Sequence, residues 1–250
     1  MGAAATGARQ ASGATETERM AVRGTHENVL ALVTATFTPA PGVEVLDVGA
    51  GRGGLSRKLL EAGYRVRACD LDPGAFAVPG VECRRADAGG GLPYADASFD
   101  LVLAVELVEH IEGHAVLFDE MGRVLRPGGS LLFTTPNILS LKSRMRFLLS
   151  GYFYSFGTLD PDVLDPASQH ITPFTLDRYL WRLRQSGLSV SRVSTDKLQT
   201  SSLLLGFLWP LIRAYARLTQ GRSSSVGLEN SATALFGRKL VVIARREPGE

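Results

Sequence analysis

Val43 to Gly54 reads VEVLDVGAGRGG, an apolar run interrupted by two acids and closed by four glycines within its last six residues. Such a stretch predicts a buried strand, a tight turn and the start of a helix. Gly49, Gly51 and Gly54 spell the G-x-G-x-x-G spacing of dinucleotide loops, while Asp47, Gly49, Gly51 and Gly53 spell an acidic glycine loop of another kind. Glycine lets backbone approach a ligand closely and take positive φ values. The spacing alone also describes an ordinary strand-to-helix turn, so charge has to decide. A pyrophosphate resting on the loop would be repelled by the Asp47 carboxylate, whereas a ligand with ammonium and sulfonium charges would be attracted. The loop predicts a cationic ligand.

Outward from this loop, strand and helix patterns alternate. A helix from about Glu27 to Phe37 precedes it, and GLSRKLLEAG follows it with apolar residues at helical spacing and Gly63 as its stop. YRVRACDLD, VECRRAD and FDLVLAV read as the next three strands, HAVLFDEMGRVL as an amphipathic helix, RPGG as a turn and SLLFTT as a fifth strand. The alternation predicts right-handed crossovers in a doubly wound, parallel sheet. Ligands in such sheets bind beyond the carboxyl ends of the strands. Acids stand at three such ends: Asp47, then Asp70 at 70−47 = 23 residues further on, where it can accept both ribose hydroxyls, then Asp87, placed to accept from an adenine amino group.

Beyond Pro136 the pattern changes. Residues 137–173 hold a basic helix-like piece, an aromatic loop GYFYSFG and an acidic loop, which together predict a cap over the site. PFTLDRYLWRLRQSG returns to helix, LSVSRVSTD to strand and RKLVVIARRE to a terminal strand. Between those strands, residues 201–234 form an apolar insertion followed by the polar linker TQGRSSSVGLENS.

Composition excludes several classes. The 250 residues suit one large domain, with 45% apolar and 21% charged residues, which is neither disordered nor membrane-spanning in type. A formal net charge of +2 gives no nucleic-acid footprint, so nucleic acid is not expected as a partner. Cys69 and Cys83 lack C-x-x-C spacing, which speaks against a disulfide framework and for a reducing, cytoplasmic setting. Residues 1–24, rich in Ala, Gly and Thr, are expected to be a disordered leader, and residues 25–250 the folded domain.

VLDVGAGRGG, ACDLD, RRADAGGGLPYADASFDLVLAVELVEHI and RVLRPGGSLLFTTPN resemble, in that order, the motifs of class I S-adenosylmethionine-dependent methyltransferases. The resemblance implies a Rossmann-like α/β fold with a doubly wound seven-stranded sheet, mostly parallel, with an antiparallel last strand and a helical cap. It implies S-adenosyl-L-methionine as cofactor: Asp47, Gly49, Ala50 and Gly51 against its methionine part, Asp70 and Leu71 at the ribose, Asp87 and Ala88 at the adenine, and Glu106 lining the pocket.

Ala104 to His114, AVELVEHIEGH, places Glu106, Glu109 and His110 at i, i+3 and i+4, one face of a helix if the segment is helical. The E-x-x-E-H pattern resembles that of the ubiquinone-biosynthesis O-methyltransferases and of the small-RNA 3′-terminal 2′-O-methyltransferases. That resemblance implies a metal held by Glu106, Glu109, His110 and His170, the last lying 170−110 = 60 residues downstream. Carboxylate and imidazole ligands suit Mg²⁺, Mn²⁺ or Zn²⁺, with Mg²⁺ the least natural beside two histidines. Without a metal, the same residues offer a pocket carboxylate, a helix-start acid and a general base in His110 or His170. Glu109, His110 and His170 are the candidate catalytic residues, and either route gives O-methylation of a small-molecule or lipid-linked hydroxyl. Residues 203–218 are too short to span a bilayer, and they suit either a peripheral membrane contact, with Trp209, Arg213 and Arg217, or a helix packed on the domain. Two other classes stay open: a dinucleotide-dependent oxidoreductase, and a non-catalytic membrane-surface or partner-binding protein on the same scaffold.

Overall fold

The computed structural model describes residues 24–40, 42–221 and 223–248, so residues 1–23 of the expected leader lie outside the described residues. In chain order the elements are α1 (Thr25–Thr36), β1 (Glu44–Val48), α2 (Gly54–Glu61), β2 (Arg65–Asp70), β3 (Cys83–Arg85), β4 (Phe99–Ala104), α3 (His114–Val124) and β5 (Leu125–Pro136). There follow α4 (Leu141–Ser150), α5 (Leu176–Gln185), β6 (Leu188–Thr195), α6 (Thr200–Leu204), α7 (Trp209–Gln220), α8 (Ser224–Glu229), α9 (Ala232–Phe236) and β7 (Lys239–Arg246).

The strands make one seven-stranded sheet in the order β3-β2-β1-β4-β5-β7-β6. β1 to β5 pair parallel, while β7 runs antiparallel to both β5 and β6. Central strands need to be apolar on both faces, and all five residues of β1 are buried. Alternation divides them: Val45 packs with Val29 and Val33 of α1 and Leu55 and Leu59 of α2, whereas Leu46 and Val48 pack with Leu117, Phe118 and Met121 of α3 and Tyr179 and Leu183 of α5. The result is three layers, with helices on both faces of the sheet.

Two expected elements differ. RPGG does not turn the chain; it lies inside β5, where the pairing with β4 shifts register between Phe99 and Leu101. Gly128 has φ +78°, and a Cβ on Gly129 would stand 2.9 Å from the Arg126 carbonyl oxygen, so the glycines form a bulge in a continuous strand. The polar linker is partly helical: Ser223 and Ser231 accept hydrogen bonds from Val226 N–H and Ala234 N–H, starting α8 and α9.

Candidate active site

The carboxyl ends of β1, β2 and β4 meet at a cavity of about 250 Å³. The glycine loop forms its floor. Gly49 N–H and Ala50 N–H both donate to the Cys69 carbonyl, and Gly51 N–H donates to Asp70 Oδ2 at 2.7 Å. Gly49 has φ +72° and faces Leu107, whose Cδ1 would stand 2.8 Å from an added Cβ. Gly53 is tighter still, with φ +85° and an added Cβ overlapping Val78 Cγ2. The glycines are therefore required by backbone conformation and by close approach.

Gly49, Ala50, Gly51, Asp70, Leu71, Asp87, Ala88 and Glu106 all line the cavity. Asp87 Oδ1 accepts from Gly89 N–H at 3.0 Å, which fixes its carboxylate at the rim. Asp47 stands apart from the others. It is buried beneath the loop, outside the cavity lining, and its Oδ2 accepts the Ser56 hydroxyl at 2.6 Å. Burial, offset in part by that hydrogen bond, pushes its carboxyl up to about 6. It acts on the cavity as a charge behind the loop.

The segment after β4 is not the regular helix its spacing predicts. Glu106 takes a left-handed backbone conformation at φ 57°, and only Val108–His110 form a single 3-10 turn. Glu106 is consequently drawn to partners on β5 and β7. Glu106 N–H donates to Thr134 Oγ1, the Thr134 hydroxyl donates to Glu106 Oε1, and Lys239 of β7 pairs with Glu106 Oε2. The carboxylate is thus committed to Lys239 and Thr134, and Glu106 is not among the grouped ligand atoms.

Glu109, His110 and His170 are grouped, with one ligand atom from each lying within 4.8 Å of the others. Glu109 is fully buried, and neither of its carboxylate oxygens has a hydrogen-bond partner. Burial, then the neighbouring Glu106 carboxylate, holds its carboxyl well above the usual range. Its backbone carbonyl accepts from Ile171 N–H and Thr172 N–H, which draws the 170 segment onto the 3-10 turn. The two imidazoles meet edge to face with ring centroids 4.9 Å apart. Each Nδ1 faces a backbone carbonyl, His110 that of Gln169 at 2.8 Å and His170 that of Ser155 at 2.7 Å. A carbonyl only accepts, so both Nδ1 atoms carry the hydrogen and Nε2 is the basic, ligating nitrogen of each ring. Burial lowers the His170 pKa.

Sequence reasoning passed over three residues. His26, at the start of α1, lines the cavity, and burial lowers its pKa. Arg52 lines the same cavity, and its Nε is buried without a hydrogen-bond partner. Lys239 lies 133 residues from the carboxylate it neutralises, and no local pattern announces that pairing. His114 is a core residue: its Nε2 meets the Val108 carbonyl at 2.6 Å and its ring packs against Phe174.

The family model described as a methyltransferase domain matches residues 46–133, from β1 into β5. A SAM dependent methyltransferase from Archaeoglobus fulgidus superposes with a TM-score of 0.56, at 21% identity, over 89% of this chain and 95% of that one. The chain has the class I methyltransferase fold. Among sequence relatives, a demethylmenaquinone methyltransferase of Tropheryma whipplei is 34% identical over 97 residues, 36% of this chain and 41% of the relative. A phthiotriol/phenolphthiotriol dimycocerosates methyltransferase of Mycobacterium ulcerans is 41% identical over 113 residues, 40% of each chain. The chain thus spans about two fifths of the length of the curated relatives it matches.

Proposed function

We propose that this methyltransferase-fold chain uses S-adenosylmethionine to methylate a hydroxyl of a small-molecule or lipid-linked acceptor, with a divalent metal held by Glu109, His110 and His170. The observation that carries the proposal is the continuity of two sites: His110 lines the cofactor cavity and also belongs to the ligand cluster. A methyl donor in the cavity and an acceptor at the cluster would be neighbours.

The cavity suits the cofactor chemically. Asp70 offers carboxylate lone pairs for vicinal ribose hydroxyls, Asp87 and Ala88 border the adenine end, and Asp47 supplies negative potential behind the glycine loop. When bound, S-adenosylmethionine supplies a methyl carbon on a sulfonium; transfer breaks the C–S bond, forms the C–O bond and releases the acceptor's hydroxyl proton. The cluster suits a metal as well, because a fully buried carboxylate without hydrogen-bond partners is costly unless a cation meets it. One carboxylate and two imidazoles favour Zn²⁺ or Mn²⁺ over Mg²⁺. The metal would supply Lewis acidity that lowers the pKa of an acceptor hydroxyl.

The chain's own groups do the rest. Should no metal be held there, His170, whose pKa burial lowers, is the group that accepts the hydroxyl proton at Nε2, and the Gln169 and Ser155 carbonyls hold both rings in the tautomer that ligation or proton transfer requires. Lys239 keeps the Glu106 carboxylate from adding a second uncompensated charge beside Glu109. A hydroxyl acceptor agrees with a relative whose name carries a triol and a phenol, and the low net charge favours a small or lipid-linked acceptor over nucleic acid. The test is calorimetric titration of Zn²⁺, Mn²⁺ and Mg²⁺ into protein saturated with S-adenosylhomocysteine. Saturable binding that is lost in Glu109→Ala and in His170→Ala supports the metal. Absence of binding by the wild type removes it and leaves the histidines as base and orienting group.

A further inference from the structure

α6 and α7 lie on the connection from β6 to β7 and present a continuous apolar surface that no other described residue covers. Leu204, Phe207, Leu211 and Leu218 are 77%, 72%, 67% and 85% exposed. At 100° per residue, Leu211, Tyr215 and Leu218 fall within about 60° of arc on α7, so their exposure forms a stripe and not a scatter. The opposite side is anchored. Trp209 and Ile212 pack on the small core of Leu141, Leu235 and Phe236, and Trp209 Nε1–H donates to the Asn230 carbonyl. The helix is therefore held on the domain by one side and offers the stripe outward.

Charge identifies what the stripe meets. From Lys197 to Leu228 the chain carries four basic residues, Lys197, Arg213, Arg217 and Arg222, and no acid. Arg213 and Arg217 line a cavity of about 310 Å³ between α7 and α8 together with Ser223, and no acidic residue contributes to that lining. Neither arginine makes an ion pair among the described residues. No helix of the described residues is long and apolar enough to cross a membrane. On the same arc Arg217 lies about 100° and Arg213 about 140° from Leu218, on the side of α8, where Arg213 also lies over the Trp209 ring at 5.7 Å. An apolar stripe with long-stemmed cations on one flank, on a helix about 18 Å long, is the pattern of a segment that lies in the headgroup plane of a bilayer while its arginines reach toward the phosphates. A second copy of the chain docking through the same face would set these cations against one another.

We infer that the α6–α7 face docks on an anionic phospholipid bilayer, with Leu204, Phe207, Leu211 and Leu218 inserted at headgroup level and Arg213 and Arg217 receiving a lipid phosphate. Docking is independent of methyl transfer and is read without any methyl donor. The full chain is sedimented with vesicles of phosphatidylcholine alone and of phosphatidylcholine with phosphatidylglycerol, at low and high salt. Binding is expected to the phosphatidylglycerol vesicles and to weaken with salt. Arg213→Ala with Arg217→Ala is expected to weaken it about 30-fold. Leu211→Ser with Leu218→Ser is expected to weaken it at least about tenfold. Both pairs are exposed, so melting temperature and S-adenosylhomocysteine affinity should stay at wild-type values, which separates lost docking from lost fold. Equal binding to both vesicle types would overturn the inference. So would wild-type binding by either variant pair, or a dimer in solution that the leucine pair abolishes.

Discussion

Replacing Asp47 with Asn removes one buried charge while keeping an acceptor for the Ser56 hydroxyl, which now meets the Asp47 carboxylate at 2.6 Å. The folded-state carboxyl is raised from 3.8 to about 6, so between those pH values the folded chain holds a proton that the unfolded chain has released. Stability of the wild type therefore falls as pH rises through this window and is level above it. The shift corresponds to about 3 kcal/mol, present in full as a penalty at pH 8 and absent below about pH 3.8. Asn carries no such penalty, although its amide hydrogens need partners in a site with 3% exposure and so lower its stability by a constant amount. The informative quantity is the pH-dependent part of the difference. Urea unfolding of both proteins without ligand, from pH 4 to pH 8, should show the Asn variant gaining about 2.4 kcal/mol on the wild type across the series, the first ~0.6 kcal/mol of the penalty being already present at pH 4. A difference that is flat with pH would refute a buried, desolvated Asp47. The same substitution should weaken binding of the cationic methyl donor, because the charge behind the loop is lost.

Three further outcomes are expected. Gly53→Ala forces a Cβ toward Val78 at φ +85° and should cost about 1–3 kcal/mol with weaker S-adenosylhomocysteine binding; wild-type values for both in thermal melts and calorimetry would contradict the close approach. Lys239→Met strands the Glu106 carboxylate and should destabilise by about 3–5 kcal/mol, and adding Glu106→Gln should recover much of that loss, so strictly additive effects in a double-mutant cycle would rule out the pairing. Without metal, Glu109→Gln should change stability by less than about 2 kcal/mol, since the buried carboxyl has no hydrogen-bond partner to lose and the amide brings only its own unsatisfied hydrogens; a larger loss on chemical denaturation would mean that the carboxyl has a partner.

Much of this architecture is local and therefore legible. VEVLDV followed by glycines can hardly be other than a central strand and its turn, and Asp70 and Asp87 reach the cavity because strand ends in a parallel sheet share one edge. That the last strand runs antiparallel came from family resemblance, since periodicity does not orient strands, and its place between β5 and β6 is visible only in the folded sheet. What escaped depends on distant partners or backbone strain. Glu106 follows helical spacing in sequence, yet φ 57° and the pull of Lys239 draw it to partners on β5 and β7. His26 has no chemical neighbours in sequence and joins the cavity only because α1 packs on α2, where Glu27 pairs with Lys58 at 3.0 Å. RPGG has turn composition, but β4 and β7 supply enough ladder on either side to absorb it as a bulge.

The most direct test of the central claim is calorimetric titration of S-adenosylhomocysteine, and separately of NAD, into the full chain and into Asp70→Ala. Saturable one-to-one binding of S-adenosylhomocysteine, lost in Asp70→Ala, with no binding of NAD, is the predicted result. Binding of NAD with none of S-adenosylhomocysteine would contradict the assignment of the glycine loop and return the chain to the dinucleotide-dependent oxidoreductases.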